Sequence, residues 1–367
     1  MPIPMFSTFV AQDAARRVAQ VLASTFLSEG ALVREFEEAL QGSLGLENAV
    51  ALNSGTAALH LALVLAGVGK GDEVILPAQT FIASGLAVAM QGATPVFADI
   101  QYDTGNIEPS SIAARITPRT KAIMPVHWAG TPCDMDEIHA IAAPRGIAVV
   151  EDAAHALGAV YRSRPIGSIS DYTCFSFQAI KHVTTGDGGA LCSRDAAKAL
   201  EALRRRWFGI DRRRSPMSEL GERQYDVADV GFKYHLNDYA AALGLANLAG
   251  FAGRLHRYRA IDAAYRLAFA ATPGISPFRR HEDRQGACWI FGMHVERRDR
   301  FVRAMQARQL PCSVVHTRID RNSLFGGLRE DLPNQERFDL TQIHLPCHMD
   351  MTDEHVEDVI KGVRNGW

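Results

Sequence analysis

The chain has 367 residues, 47% of them hydrophobic and 22% charged, with 39 basic against 41 acidic side chains and a formal net charge of −2 at pH 7. That length is more than one hydrophobic core fills, the composition is that of an ordinary globular protein, and the charge excludes a global basic field for nucleic acid or an anionic membrane. No window approaches the roughly 18 apolar residues of a membrane span, and residues 1–7 lack the basic and apolar regions of an export signal.

Residues 13–40 read as helical, in two pieces broken at Gly30, and form an N-terminal arm leading into a domain. From residue 49 the pattern alternates. Strands are predicted at 49–52, 73–76, 95–98, 122–126 and 147–150, and helices at 56–65, 82–90, 110–115 and 135–143. Such βαβ repetition predicts an α/β fold with a mostly parallel sheet and helices on both faces. Strands return at 173–177 and 190–192, followed by a basic helix over 196–207 and an Arg-rich, Pro-interrupted loop over 209–221 that reads as mobile. An alanine-rich helix spans 237–248, and the remainder mixes helices with strands such as 289–295. The expected organisation is an arm (1–30), a large domain (31–248) and a smaller C-terminal domain (249–367). Six cysteines stand singly with no C-x-x-C pair, which argues against zinc or redox-pair chemistry and for a reducing cytoplasm.

In an open α/β sheet, ligands gather at the carboxyl ends of the strands, and those positions here carry chemistry. Asn53-Ser-Gly-Thr56 opens an apolar helix and is either a phosphate cup of free amides and a hydroxyl or a simple Ser/Thr N-cap. Phe81 either stacks on a planar ligand or fills core. His127 follows one strand, and Glu151, Asp152 and His155 follow another. A buried strand-end acid is costly unless it meets a cation such as a pyridinium nitrogen, although Asp152 before Ala-Ala also reads as a helix N-cap. Ser176-Phe-Gln-Ala-Ile-Lys181 joins a strand to a turn containing Gly186, Gly188 and Gly189. There Lys181 is either a surface residue of a turn or a reactive amine able to form a Schiff base. Taken together, a phosphate cup, an aromatic plate, a buried acid, a hydroxyl and a lysine are what pyridoxal phosphate requires.

Over almost its full length the chain resembles the DegT/DnrJ/EryC1/StrS family of sugar aminotransferases. The motifs carrying the resemblance include Ser54-Gly-Thr-Ala-Ala-Leu59, Gly71-Asp-Glu-Val74, Thr80-Phe81, Pro125-Val-His127, Glu151-Asp-Ala-Ala-His155, and Ser176 to Lys181 followed by Gly186-Asp-Gly-Gly189. The resemblance implies a fold-type I enzyme: a large domain with a mostly parallel mixed sheet and a smaller α+β C-terminal domain. It implies pyridoxal 5′-phosphate as cofactor, with pyridoxamine phosphate as its intermediate form, and Lys181 as the residue bonded to it. Asp152 would pair with the ring nitrogen, His155 would lie near the 3′-oxygen, Phe81 would stack on the ring, and Gly55, Thr56 and Ser176 would bind the phosphate.

The resemblance also implies a homodimer whose active site lies at the interface. An asparagine in a Gly-aromatic-Asn-aromatic-Arg segment of the family reaches the partner's cofactor phosphate; the segment here is Gly231-Phe-Lys-Tyr-His235, so Lys233 takes the asparagine's place and is either a phosphate ligand or a plain interface lysine. One branch of the family dehydrates its sugar and has histidine where Lys181 stands, so the lysine favours transamination over a keto-sugar dehydratase; a non-catalytic regulator of the same fold is the remaining alternative. The implied reaction is ping-pong, from glutamate to a nucleotide-linked keto-deoxysugar. Arg204-Arg-Arg206 and Arg212-Arg-Arg214 either bind the substrate's diphosphate or form a solvated face, and His316, Arg318 and Asp320 either line the substrate pocket or form a polar turn.

Overall fold

The computed structural model describes residues 3–212 and 214–367. Met1 and Pro2 of the expected arm, and Arg213 of the second arginine run, lie outside the described residues. In chain order the elements are α1 (Ala14–Ser24), α2 (Ala31–Leu44), β1 (Val50–Leu52), α3 (Gly55–Leu65), β2 (Glu73–Pro77), α4 (Ile82–Met90), β3 (Thr94–Ala98), α5 (Pro109–Arg115), β4 (Thr120–Ile123), α6 (Met135–Ala142) and β5 (Ala148–Asp152). There follow β6 (Val160–Tyr161), β7 (Arg164–Pro165), β8 (Tyr172–Ser176), β9 (Gly189–Ser193), α7 (Ala196–Arg205), α8 (Asp238–Leu248) and α9 (Phe251–Phe269). The last are β10 (Ile275–Pro277), β11 (Arg284–Gln285), β12 (Phe291–Val295), α10 (Arg298–Ala307), α11 (Pro333–Thr341), β13 (Gln342–Leu345) and α12 (Asp353–Arg364).

Seven strands form the main sheet in the order β1-β9-β8-β5-β4-β2-β3. Strand β9 runs antiparallel to both its neighbours and the others run parallel to one another, giving a mostly parallel mixed sheet. Successive side chains of a strand point to opposite faces, and both faces are apolar. Ala51, Ile75, Val149, Phe175 and Ala190 pack on the side of α2, α6 and α8, while Leu52, Val74, Val150, Cys174 and Leu191 pack on the side of α3, α4 and α7. The continuous apolar strand sequences follow from this double coverage.

A second core is built from α9, α10 and α12 against the antiparallel sheet β10-β12-β13. Helix α9 belongs to both cores: Phe251 and Leu255 in its first turns pack with the large sheet's helices, whereas Tyr258, Ile261, Tyr265 and Phe269 pack with the small sheet. The two helical pieces expected around Gly30 are α1 and α2. The break is fixed by Asp238 of α8, whose carboxylate accepts the amides of Gly30 at 2.8 Å and Val33 at 3.1 Å and so caps α2. Ahead of α1 the chain runs along the second core, with His348 Nε2 donating to the Pro4 carbonyl at 3.0 Å and Phe6 stacked on Trp289.

Candidate active site

At the carboxyl edge of the parallel strands, β8 ends at Ser176 and the chain makes a loop before returning as β9 at Gly189. The neck of the loop is closed by Phe177 N–H donating to the Gly188 carbonyl at 2.8 Å and Thr185 N–H donating to the Phe177 carbonyl at 3.0 Å. Lys181 sits in this loop. Gly189 pairs with Ser176 on one side and with Leu52 of β1 on the other, and a Cβ at Gly189 would lie 2.5 Å from the Ser54 carbonyl oxygen and 2.6 Å from the Gly55 nitrogen. A Cβ at Gly55 would in turn meet that of Ser176 at 2.9 Å. The glycines therefore allow three backbone segments to converge under the start of α3.

The N-cap reading of Ser54-Gly-Thr56 is seen directly, and the amides that a phosphate cup would use are left over. The Ser54 hydroxyl caps α3 by accepting the Ala57 amide at 3.0 Å, and this leaves the Gly55 and Thr56 amides, which precede any intrahelical acceptor, at the positive end of the helix. Asp152 closes β5 and is followed by no helix. Its Oδ1 accepts the Ala154 amide at 3.1 Å, and its Oδ2 accepts the Ser84 hydroxyl at 2.7 Å. Since Ser84 spends its only proton there, the Thr80 hydroxyl donates to Ser84 Oγ at 2.7 Å. The sequence did not single out this Thr80–Ser84 relay, although the i, i+4 hydroxyl pair around the start of α4 was visible.

Seven of the eight expected site residues, namely Gly55, Thr56, Phe81, Asp152, His155, Ser176 and Lys181, line one cavity of about 350 Å³. Lys233 does not. It is exposed, with its amine 3.5 Å from the centre of the Trp207 ring. Phe81, far from filling core, is 53% exposed and leans toward His316 with ring centres 5.1 Å apart. His155 is buried and stacks on Trp289 at 3.8 Å. Burial, reinforced by the nearby Lys181 charge, pushes its pKa well below the usual imidazole value, so the ring is neutral at pH 7. Burial also lowers the Lys181 amine to about 7, with the Asp152 carboxylate working in the opposite direction.

Other expectations resolve as structure. His127 is buried against Glu151, Nε2 to Oε2 at 2.6 Å, and its Nδ1 accepts the Cys133 amide at 3.0 Å, so the neutral ring donates from Nε2. Burial alone would raise the pKa of Glu151, but bonds to His127, Ser170 and Thr173 outweigh it and hold the carboxylate low. His182, beside Lys181, donates from Nε2 to the Ala287 carbonyl at 2.9 Å and packs on Tyr258, tying the lysine loop to the second core. Arg206 is buried and paired with Glu37 at 2.5 Å and Glu29 at 2.9 Å, while Arg204 and Arg205 pair with Asp229 and Glu201. Arg204 and Arg206 border an open hollow of about 970 Å³ that their partner carboxylates also line, so these guanidinium groups are already charge-paired. Of the C-terminal trio, His316 lines the cavity, and Arg318 and Asp320 form a buried pair at 2.5 Å outside it.

The residues present fit pyridoxal phosphate. His155 Nδ1 is buried with no hydrogen-bond partner among the described residues, Phe81 offers a bare aromatic face, and two helix-end amides and a carboxylate face one cavity with a lysine. Comparison with known proteins agrees. The sequence model of the DegT/DnrJ/EryC1/StrS aminotransferase family matches residues 9–364. The spore coat polysaccharide biosynthesis protein SpsC of Bacillus subtilis is 37% identical over 99% of this chain and 96% of its own, and the GDP-perosamine synthase of Caulobacter vibrioides is 34% identical over 94% and 92%. The crystal structure of the sugar aminotransferase CalS13 from Micromonospora echinospora superposes with a TM-score of 0.94 at 33% identity, covering all of both chains. The chain therefore belongs to the DegT/DnrJ/EryC1/StrS aminotransferase family and is a fold-type I, pyridoxal-phosphate-dependent sugar aminotransferase.

Proposed function

We propose that the protein moves an amino group from glutamate to the keto group of a nucleotide-linked deoxysugar in two half-reactions, supplying amino sugars for polysaccharide or glycoside assembly. The observation carrying this reading is the single cavity in which a lysine amine titrating near neutrality, a buried carboxylate and an exposed aromatic face meet under a helix N-terminus. The nucleotide-linked acceptor and the polysaccharide destination are supported by what the C. vibrioides and B. subtilis relatives are named for.

When bound, pyridoxal phosphate supplies an electrophilic carbon and an electron-withdrawing ring. The Gly55 and Thr56 amides and the Ser176 hydroxyl would hold its phosphate, as a helix N-terminus does. Phe81 would cover one ring face, and His155 would offer its free Nδ1 to the 3′-oxygen. Asp152, oriented by Ser84 and the Ala154 amide, would keep a proton on the ring nitrogen. Lys181 would anchor the cofactor at rest and, once released, take the donor's Cα proton as general base and return it as general acid, a task suited to an amine titrating near the working pH.

A homodimer is part of the proposal. Apolar side chains are exposed at Phe26, Leu220 and Val230 among others, and Lys233 is exposed and does not line its own chain's cavity. The six cysteines are free thiols, which supports a cytoplasmic home.

The test is a spectral and mass-balance experiment. Adding glutamate to the holoprotein should convert the cofactor to its pyridoxamine form with release of 2-oxoglutarate, and a panel of nucleotide keto sugars should then yield a product that has gained nitrogen. Lys181→Ala should abolish both the borohydride-fixable linkage and the transfer. Loss of sugar oxygen without gain of nitrogen would overturn transamination in favour of dehydration.

A further inference from the structure

Trp289 lies just ahead of β12, in a stretch that reads from the sequence as ordinary strand, and it is 2% exposed. Its indole face is the partner that the Lys181 amine has found: Nζ is 3.8 Å from the ring centre, and among the described residues it makes no hydrogen bond and no ion pair. We infer that Trp289 is a positioning residue for the lysine, its indole face being the place where the Lys181 amine rests whenever that amine is not bonded to the cofactor. The inference rests on Lys181 being the reacting amine.

The indole is built to stay where it is. Its Nε1–H donates to the carbonyl of Ile180 at 3.0 Å, the residue immediately before the lysine, so the ring and the lysine's backbone are tied together. His155 stacks on it with ring planes 11° apart, and Phe6 of the N-terminal arm stacks at 5.2 Å. The arm is fixed close by, with the Ala11 amide donating to Asn247 Oδ1 at 2.8 Å while Asn247 Nδ2 donates to the Thr184 carbonyl of the lysine loop at 2.8 Å. His155 is neutral at pH 7, so no second cation competes for the indole.

An ammonium is drawn to the face of an indole by the ring's quadrupole, and the attraction is weak enough to be given up again. The reaction needs both properties. With the cofactor bound, a Lys181 side chain released from it would have to remain within reach of the reacting carbon, keep off the Asp152 carboxylate, and leave again to take and return a proton. A flat apolar face bonded to the adjacent carbonyl holds it without a strong charge pair. Because the π face favours the protonated amine, it works with Asp152 against the burial that lowers this amine to about 7.

The decisive experiment replaces Trp289 with tryptophan carrying one to four ring fluorines, which weakens the quadrupole while preserving the indole's shape and its N–H, and measures the pH midpoint of Lys181 methylation in the cofactor-free protein by mass spectrometry of the lysine peptide. The midpoint should fall stepwise with fluorine number, and Trp289→Leu should lower it by about half a unit to one and a half units, with Trp289→Phe in between. In the holoprotein, Trp289→Leu should cut kcat roughly ten- to hundredfold, as expected of a misplaced reacting group, with the KM for glutamate changed by less than about twofold. An unchanged midpoint across the fluorinated series overturns the inference, whatever becomes of the leucine variant's fold. A stepwise midpoint in a protein that aminates no sugar upholds the role of Trp289 and instead defeats the proposed function.

Discussion

In the role proposed for Lys181, two demands meet on one amine. It must be neutral to attack a carbon and take a proton, yet a neutral amine in the folded chain means an ammonium desolvated on folding. Its value falls from 10.5 to about 7, and the sign of the consequence follows from counting protons. Between these two values the unfolded chain binds a proton at this site and the folded chain does not, so folding stability rises with pH through the window; below about 7 the full cost of burial is present, and above 10.5 it is gone. The cofactor-free Lys181→Met protein should therefore be more stable than wild type near pH 6.5, by on the order of a few kcal/mol, with the gap closing toward pH 10 in urea unfolding. A gap independent of pH would mean that the lysine is not desolvated. Asp152 poses the complementary case, in which orientation matters most. Ser84→Ala removes the hydroxyl 2.7 Å from Asp152 Oδ2 and should lower kcat by roughly three- to tenfold, the worth of one hydrogen bond, while leaving cofactor content unchanged by absorbance.

Among the elements, the junction of β9 with the start of α3 decides whether these side chains face one space. Gly189→Ala places a methyl 2.5 Å from the Ser54 carbonyl oxygen, and the three nearest atoms are all backbone of Ser54 and Gly55, which no side-chain rotation can clear. We expect destabilisation of about 1–3 kcal/mol in denaturant and faster loss of cofactor on dialysis, because the helix end proposed to hold the phosphate must move. By contrast Gly253, inside α9 with open space around it, should gain about 0.5–1 kcal/mol as alanine and leave cofactor retention alone. The same comparison marks what the sequence could convey. Alternating apolar runs reveal strands and helices, and the rule that ligands sit at strand ends singled out Asp152, Ser176 and Lys181 as candidates, whose roles came from their combination and from the family resemblance. The glycine pair was legible only as a turn, since the need for Gly189 comes from Ser54, more than a hundred residues earlier. Trp289 was read as strand because nothing local says which face of a run meets a lysine far away in the sequence. Arg206 reads from the sequence as either a diphosphate ligand or part of a solvated face because the partners that bury it, Glu29 and Glu37, come from the far end of the chain. Side-chain types and local period are written in the sequence; pairings across the sheet are not.

For the whole molecule, Lys233 bears on how two copies would share a site. It is exposed, rests over Trp207 and is absent from its own chain's cavity, while its carbonyl accepts Asn53 Nδ2 at 3.1 Å, close to the Ser54-Gly55 turn. If a two-fold axis brings that face onto a second copy, each site takes its lysine anchor from one subunit and Lys233 from the other. Lys181→Ala and Lys233→Glu should then each be nearly inactive alone, the first for want of the anchor and the second because it places a carboxylate beside the partner's phosphate. Refolded together at equal concentration, about half the dimers pair one variant with the other, and in each of these one site combines a wild-type Lys181 with a wild-type Lys233, so activity should return to about a quarter of wild type. Were Lys233 to serve its own chain, every site in the mixture would carry one lesion and the mixture would stay silent. Lys233→Glu fully active by itself would instead leave the lysine as an interface residue without a part in the site. The substitution lies on the surface, where its effect on folding should stay within about 0.5 kcal/mol, so restored activity reports which subunit supplies the charge rather than which variant folds.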